Sequence, residues 1–225
     1  FRLIIYICVY NPKNFSCMIN RELYMEQITP FIDKPFVKVI TGIRRCGKSV
    51  VLRLIREELL RRGVSEDYII YMNFESFEWI DMKEAKALYA HIREATKAPG
   101  KYYILLDEIQ EVTDWEKAVN AFLVDLDVDI YVTGSNSRLL SSEFSTYLAG
   151  RYVAFHIMTL SFREYLLFHD LPLTISVSDR KTEFLKYLRM GGFPAIHTAN
   201  YDYNAIYKIV YDIYSSVILL SLIHI

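Results

Sequence analysis

The sequence predicts a three-layer α/β fold: a five-stranded, mostly parallel sheet with helices on both faces, followed by a helical region. Five short apolar runs read as strands, and segments with apolar residues at helical spacing lie between them. The runs are nearly continuous rather than alternating, which is the pattern of a sheet buried on both faces. After Leu160 no further strand pattern occurs.

Val37 to Thr41 (VKVIT) is the first strand and ends in a glycine loop. Ser49 to Arg62 follows as a helix, with Val51, Leu52, Ile55 and Leu59 on one face and Gly63 as its stop. Tyr68 to Phe74 is the second strand, and Met82 to Thr96 a helix closed by Pro99-Gly100. Tyr102 to Leu106 (YYILL) is a buried third strand. Asp114 to Leu126 is a helix whose predicted start is a capping box, Thr113-x-x-Glu116. Asp129 to Thr133 and Tyr152 to Met158 complete the sheet. Ser161-x-x-Glu164 is a second capping box, and the remainder reads as helices broken at Gly191-Gly192-Phe193-Pro194.

Composition removes several classes. The 225 residues carry 26 Lys+Arg against 27 Asp+Glu, so a generally basic nucleic-acid-coating protein is disfavoured. With 18 Tyr, 13 Phe and 2 Trp the chain is too aromatic to be disordered. Cys8, Cys17 and Cys46 form neither a disulfide framework nor a zinc spacing, which suits a cytoplasmic location. The five histidines show no ligand spacing and read as structural. Phe1 to Tyr10 is apolar but about half the length a bilayer needs, so no membrane partner is expected. Met18 looks like a natural start. Residues 1–17 are therefore expected to be a non-native or disordered extension, and the final LSLIHI a non-native end.

The strongest chemical signal is Gly42-Ile43-Arg44-Arg45-Cys46-Gly47-Lys48-Ser49, a G-x-x-x-x-G-K-[ST] phosphate-binding loop between a strand and a helix. Its glycines let backbone N–H groups wrap a polyphosphate, and the helix that follows presents its positive end to the phosphates. Residues Gly42 to Val50 are thus the expected nucleotide cradle. Lys48 is expected to reach the β- and γ-phosphates, and Ser49 to offer its hydroxyl to Mg²⁺. Arg44 and Arg45 read as solvated or substrate-facing rather than catalytic, and Cys46 as a small filler.

The second signal is an apolar strand ending in two carboxylates, Asp107 and Glu108. Asp107 is a candidate Mg²⁺ ligand, and Glu108 a candidate base that polarises the attacking water. A third strand ends at Thr133-Gly134-Ser135-Asn136. Ser135 or Asn136 there could touch the γ-phosphate or the water, although the same residues are also good turn formers.

ITGIRRCGKS (Ile40 to Ser49), YYILLDEIQ (Tyr102 to Gln110), VTGSNSRLLSSE (Val132 to Glu143), LAGRY (Leu148 to Tyr152), LSFREYL (Leu160 to Leu166) and GGFP (Gly191 to Pro194) together carry a resemblance. In this order they resemble the AAA-type P-loop ATPases of bacteria and archaea that bear a restriction-nuclease-like C-terminal domain. The first two motifs are generic to P-loop ATPases, and the later four are more specific. The resemblance implies ATP and Mg²⁺ binding, a sensor at Ser135 or Asn136, a small helical lid after Leu160, and a C-terminal domain beyond this chain. It also implies that Arg151 reaches the γ-phosphate of a neighbouring subunit; the plainer reading is a surface arginine.

The expected organisation is therefore an extension over 1–17, a P-loop ATPase core over 18–160 and a truncated helical lid over 161–225. The expected function is hydrolysis of Mg-ATP to drive a conformational change in a partner or appended domain. A nucleotide-gated switch with little hydrolysis is the alternative, and a small-molecule kinase lacks an acceptor motif. A homo-oligomer and a protein or DNA partner are both left open by the sequence. Arg53, Arg56, Arg61 and Arg62 give one helix a basic side, but Glu57 and Glu58 dilute it.

Overall fold

The computed structural model describes residues 19–134, 139, 147–198 and 201–222, with side chains up to 215. Two compact units divide the chain, Glu22–Met158 and a second that holds Thr159 onward together with the residues just ahead of Glu22. The predicted extension over residues 1–17 lies outside the described residues.

In the first unit, α1 (Glu22–Ile28) precedes β1 (Val37–Gly42), α2 (Lys48–Arg61), β2 (Ile69–Asn73), α3 (Ala85–Ala95), β3 (Tyr102–Asp107), α4 (Trp115–Asp125), β4 (Val128–Gly134) and β5 (Tyr152–Ile157). The strand order is β2-β3-β4-β1-β5, and every pairing is parallel. Parallel strands share one carboxyl end, so the residues that follow β1, β3 and β4 emerge along one edge of the sheet. β4 stands between β1 and β3, which separates the phosphate loop from Asp107 by one strand width on each side.

Alternation along the strands divides the core into two layers. Ile104, Leu106, Ile130 and Val132 face α3 and α4, packing on Leu88, Ile92, Val119 and Phe122. Tyr103, Leu105, Tyr131 and Phe155 face α1 and α2, packing on Ile28, Val51, Ile55 and Leu59. All six residues of β1 and of β3 are buried, as the continuous apolar runs require. Within β1, Lys38 is fully buried and pairs with Asp129 of β4. Burial pushes the Lys38 ammonium below its ordinary range, while Asp129 opposes that shift.

One predicted cap is not formed. Asp114, not Thr113, precedes α4, in a left-handed conformation and without a side-chain cap. Thr113 is drawn instead into a parallel bridge with Glu84: its N–H donates to the Lys83 carbonyl, and its own carbonyl accepts from Ala85. Two ladder bonds outweigh one side-chain cap.

The second unit contains α5 (Phe162–Phe168), α6 (Val177–Met190) and α7 (Tyr203–Leu222), without a strand among the described residues. The Ser161–Glu164 capping box is formed with both of its bonds. Glu164 also pairs with the buried Arg21 at 2.6 Å. The Gly191–Pro194 break closes on the segment before α5: Leu160 N–H donates to the Gly192 carbonyl at 2.7 Å. A Cβ on Gly192 would lie 2.4 Å from the Leu160 carbonyl oxygen, so glycine is required for this approach. His169 and His197 meet ring to ring beside Tyr165.

Candidate nucleotide-binding site

The site is built where β1 ends. Gly42 has φ +153°, and a Cβ there would lie 2.3 Å from the Ile157 carbonyl oxygen, so only glycine lets β1 turn out against β5. Cys46 is fully buried, its Sγ 2.8 Å from where a Cβ on Gly42 would stand, which makes it the packing residue that the sequence suggested. Gly47 takes a left-handed conformation immediately before α2, and its carbonyl accepts from Val50 and Val51 N–H, starting the helix. Ile43, Arg44 and Arg45 are exposed on the outer side of the loop. Arg44 reaches Glu75 at 3.4 Å.

Lys48 begins α2 with its side chain 4% exposed, and its Nζ lies 3.4 Å from Glu108 Oε1. Ser49 donates its hydroxyl proton to Asp107 Oδ1 at 3.1 Å. The phosphate loop and the Asp107-Glu108 pair are thus brought together in the fold.

Asp107 is fully buried at the end of β3 and accepts from three hydroxyls: Ser49, Thr133 at 2.5 Å and Tyr71 at 3.1 Å. Burial, with the Asp107 charge second, pushes the Tyr71 hydroxyl up to about 12, so it remains a proton donor. Three neutral donors occupy three of the roughly four lone-pair sites of this buried carboxylate and bring no positive charge to it. That environment suits a divalent cation bound through oxygen. Among the described residues no group of three or more His, Cys, Asp and Glu could hold a metal alone. A cation here would be shared between Asp107, the Ser49 hydroxyl and a ligand's own oxygens, the usual coordination of Mg²⁺.

Glu108 adopts φ 55°, ψ 48°, a left-handed conformation that costs a non-glycine residue on the order of 1 kcal/mol. Thr133 holds it there, since its Oγ1 accepts the Glu108 N–H at 3.0 Å while donating to Asp107. Gln110 Nε2 donates to Glu108 Oε2 at 2.5 Å.

Nothing local in the sequence singles out Tyr71 or Thr133. By sequence Thr133 is only a strand residue; it reaches Asp107 because β4 pairs with β3 as Leu106↔Val132. Tyr71 reaches the same carboxylate across the β2–β3 register Asn73↔Asp107. Registers between distant strands leave no local mark in a sequence. Gln110 carried a visible hint, lying two positions beyond the candidate base.

Ser135 and Asn136 lie outside the described residues. Arg151 is not brought to the phosphate loop of its own chain. It precedes β5 at the opposite end of the sheet, where Tyr152 is level with Val37, while Ile157 is level with Gly42. Five residue steps at about 3.3 Å separate the two levels by about 17 Å, beyond the reach of an arginine side chain. Its guanidinium donates to Asn120 Oδ1 of α4 at 3.0 Å. The basic side of α2 is largely neutralised locally. Arg61 and Arg62 both pair with Glu58, and Arg56 with Glu66. Among the described residues no helix is long and apolar enough to cross a membrane.

The chain is similar to several known proteins. A protein of Haemophilus influenzae named only as uncharacterized is 40% identical over 212 residues, covering 93% of this chain and 52% of the relative. A similarly named protein of Methanocaldococcus jannaschii is 35% identical over 184 residues, covering 80% of this chain and 39% of the relative. The chain therefore spans about half, or less, of the length of these relatives. Among solved structures, a Walker-type ATPase of Pyrococcus abyssi superposes with a TM-score of 0.58 at 14% identity, over 91% of this chain and 75% of that one. AMPPCP-bound DnaA of Aquifex aeolicus superposes with a TM-score of 0.51 at 15% identity, over 80% and 60%. These likenesses agree with the three-layer P-loop NTPase fold. Residues 34–166, more than half of the chain, match the AAA domain family AAA_14, and the chain belongs to that family of P-loop ATPases.

Proposed function

We propose that this chain binds ATP with Mg²⁺ at the β1–α2 loop and hydrolyses it, using the energy to change the conformation of a partner or of a further domain. The observation that carries the reading is the convergence of Lys48, Ser49, Asp107 and Glu108 at one sheet edge, with Lys48 Nζ 3.4 Å from Glu108 Oε1. Gly42 to Val50 cradle the triphosphate. Lys48 supplies positive charge where the β–γ bridging oxygen gains negative charge as its bond to the γ-phosphorus breaks. Glu108 takes a proton from water as the water oxygen bonds to that phosphorus, giving ADP and phosphate. Ser49 and Asp107 would hold Mg²⁺, which neutralises phosphate charge when bound. Ser135, Asn136 and the helices after Leu160 are assigned a sensor and lid role from the family resemblance alone.

Arg151 acts, in this reading, on a neighbouring copy, because its own loop is out of reach. A homo-oligomer follows from that role. A protein or DNA partner stays open in this reading, whereas a DNA contact through α2 is disfavoured by its internal ion pairs. The cytoplasm is the setting where ATP is available.

The test is ATP turnover by wild type, Lys48→Ala and Asp107→Asn, each checked for folding, with and without Mg²⁺. Wild-type activity that needs Mg²⁺ and is lost in both variants supports the reading. Wild-type nucleotide affinity in a folded Lys48→Ala protein would reject the site. Tight ATP binding without turnover would favour the nucleotide-gated switch.

A further inference from the structure

We propose that Gln110 is a positioning residue for Glu108, fixing the direction in which its carboxylate presents itself to water. The proposal deepens the hydrolase reading above and rests on it. Gln110 Nε2 donates to Glu108 Oε2 at 2.5 Å, while Glu108 Oε1 faces Lys48. Each carboxylate oxygen therefore has its own partner, and the rotation of the group is defined. The bond also fixes which end of the amide is which, since only the NH₂ end can donate to a carboxylate.

Two further observations set this contact apart from ordinary surface bonding. Gln110 Oε1 is buried and, among the described residues, has no hydrogen-bond partner. A buried acceptor in that condition weakens the fold, and an apolar side chain of equal length would not carry the penalty. The slot that holds the amide exists because residue 134 has no side chain: a Cβ on Gly134 would lie 2.0 Å from Gln110 Oε1 and 2.7 Å from Leu139 Cδ1. The molecule thus accepts a cost to keep a donor on Glu108. Catalysis gives that donor a use, because a base misplaced by about 1 Å loses on the order of 10²-fold in rate.

The role predicts a particular split. Gln110→Met keeps the shape of the side chain and removes the donor together with the orphaned acceptor. Its unfolding temperature should be unchanged or raised, and its affinity for a non-hydrolysable ATP analogue should stay within about threefold of wild type. Its kcat should fall at least about tenfold, with KM little changed. In a Glu108→Gln background the same substitution should add almost nothing, because no carboxylate remains to be positioned. Gln110→Ala serves as the second variant should methionine not fit the slot. Wild-type kcat in the folded variant, or a loss that simply adds to that of Glu108→Gln, overturns the proposal. The Glu108→Gln arm separates this from the parent reading. If that variant turns over like wild type, Glu108 is not the base and the role of Gln110 falls with it, whereas absence of turnover in the wild type is the separate failure of the hydrolase reading.

Discussion

Lys48 and Glu108 form an ion pair across the edge of the sheet, Nζ to Oε1 at 3.4 Å, with side chains only 4% and 15% exposed. Each is the counter-charge that makes the other tolerable at that depth. A triphosphate would compete with Glu108 for the same ammonium, so the residue assigned to chemistry also limits binding.

Glu108→Gln should therefore separate the two. Nucleotide affinity should be equal to wild type or tighter, since Lys48 is released from a competing charge. Hydrolysis should fall about 10²–10⁴-fold, the usual range for a positioned base. Equilibrium binding of a fluorescent ATP analogue alongside phosphate release checks both halves, and normal turnover would remove Glu108 from the mechanism.

Tyr71→Phe deletes one of the three hydroxyls on Asp107 without opening a cavity. Because the lost bond goes to a buried carboxylate, unfolding free energy should drop by about 1.5–3 kcal/mol. Turnover should fall far less than in Asp107→Asn, since Ser49 and Thr133 still hold the carboxylate. Denaturant titration and ATPase rates, measured side by side, test the difference.

Arg151→Ala should reduce activity at least about 10²-fold if the arginine completes a neighbour's site, since such arginines are worth roughly 10³–10⁵ in rate in P-loop enzymes. The about 17 Å between its level and the phosphate loop makes the mixing experiment decisive. Arg151→Ala and Lys48→Ala proteins, each nearly inactive, should recover activity together at interfaces where an intact loop meets an intact arginine. Failure to recover, with oligomers shown by light scattering, would leave Arg151 with its Asn120 contact as a structural residue.

The second unit should be acid-sensitive. His197 Nε2–H donates to the Gly191 carbonyl at 2.9 Å, so its Nδ1 accepts from His169 Nε2–H at 3.1 Å. Burial, above all, holds both histidines below their ordinary range near 6.5. The unfolded chain then binds more protons, so stability is complete above about pH 6.5 and is lost as pH falls through the lowered values. Glu183, with its carboxyl also held low, adds its own loss only at more acidic pH. His169→Gln should flatten the decline between about pH 7 and 5. A wild-type-like slope in that variant, measured by denaturation across the range, would contradict the assignment.

Local chemistry decided what the sequence could reveal. The apolar runs from Val37, Tyr102 and Asp129 required buried parallel strands, and G-x-x-x-x-G-K-S between a strand and a helix required a phosphate loop, because spacing and residue type carry that chemistry over a few residues. The place of Asp107 at the end of a buried strand, with Glu108 next to it, was legible for the same reason. Tertiary structure alone decided the rest. The parallel registers bring Tyr71 and Thr133 to Asp107 from two other strands. The parallel pairing of β5 with β1 sets Arg151, just ahead of β5, at the far end from its own phosphate loop. Lys38, a charge inside an apolar strand, finds Asp129 only once β1 and β4 are side by side. The bridge at Glu84 displaced the expected cap at Thr113. Strand order and register are set by the packing of segments far apart in the chain. A pattern that repeats every two or four residues therefore fixes each element's buried face but not its neighbour.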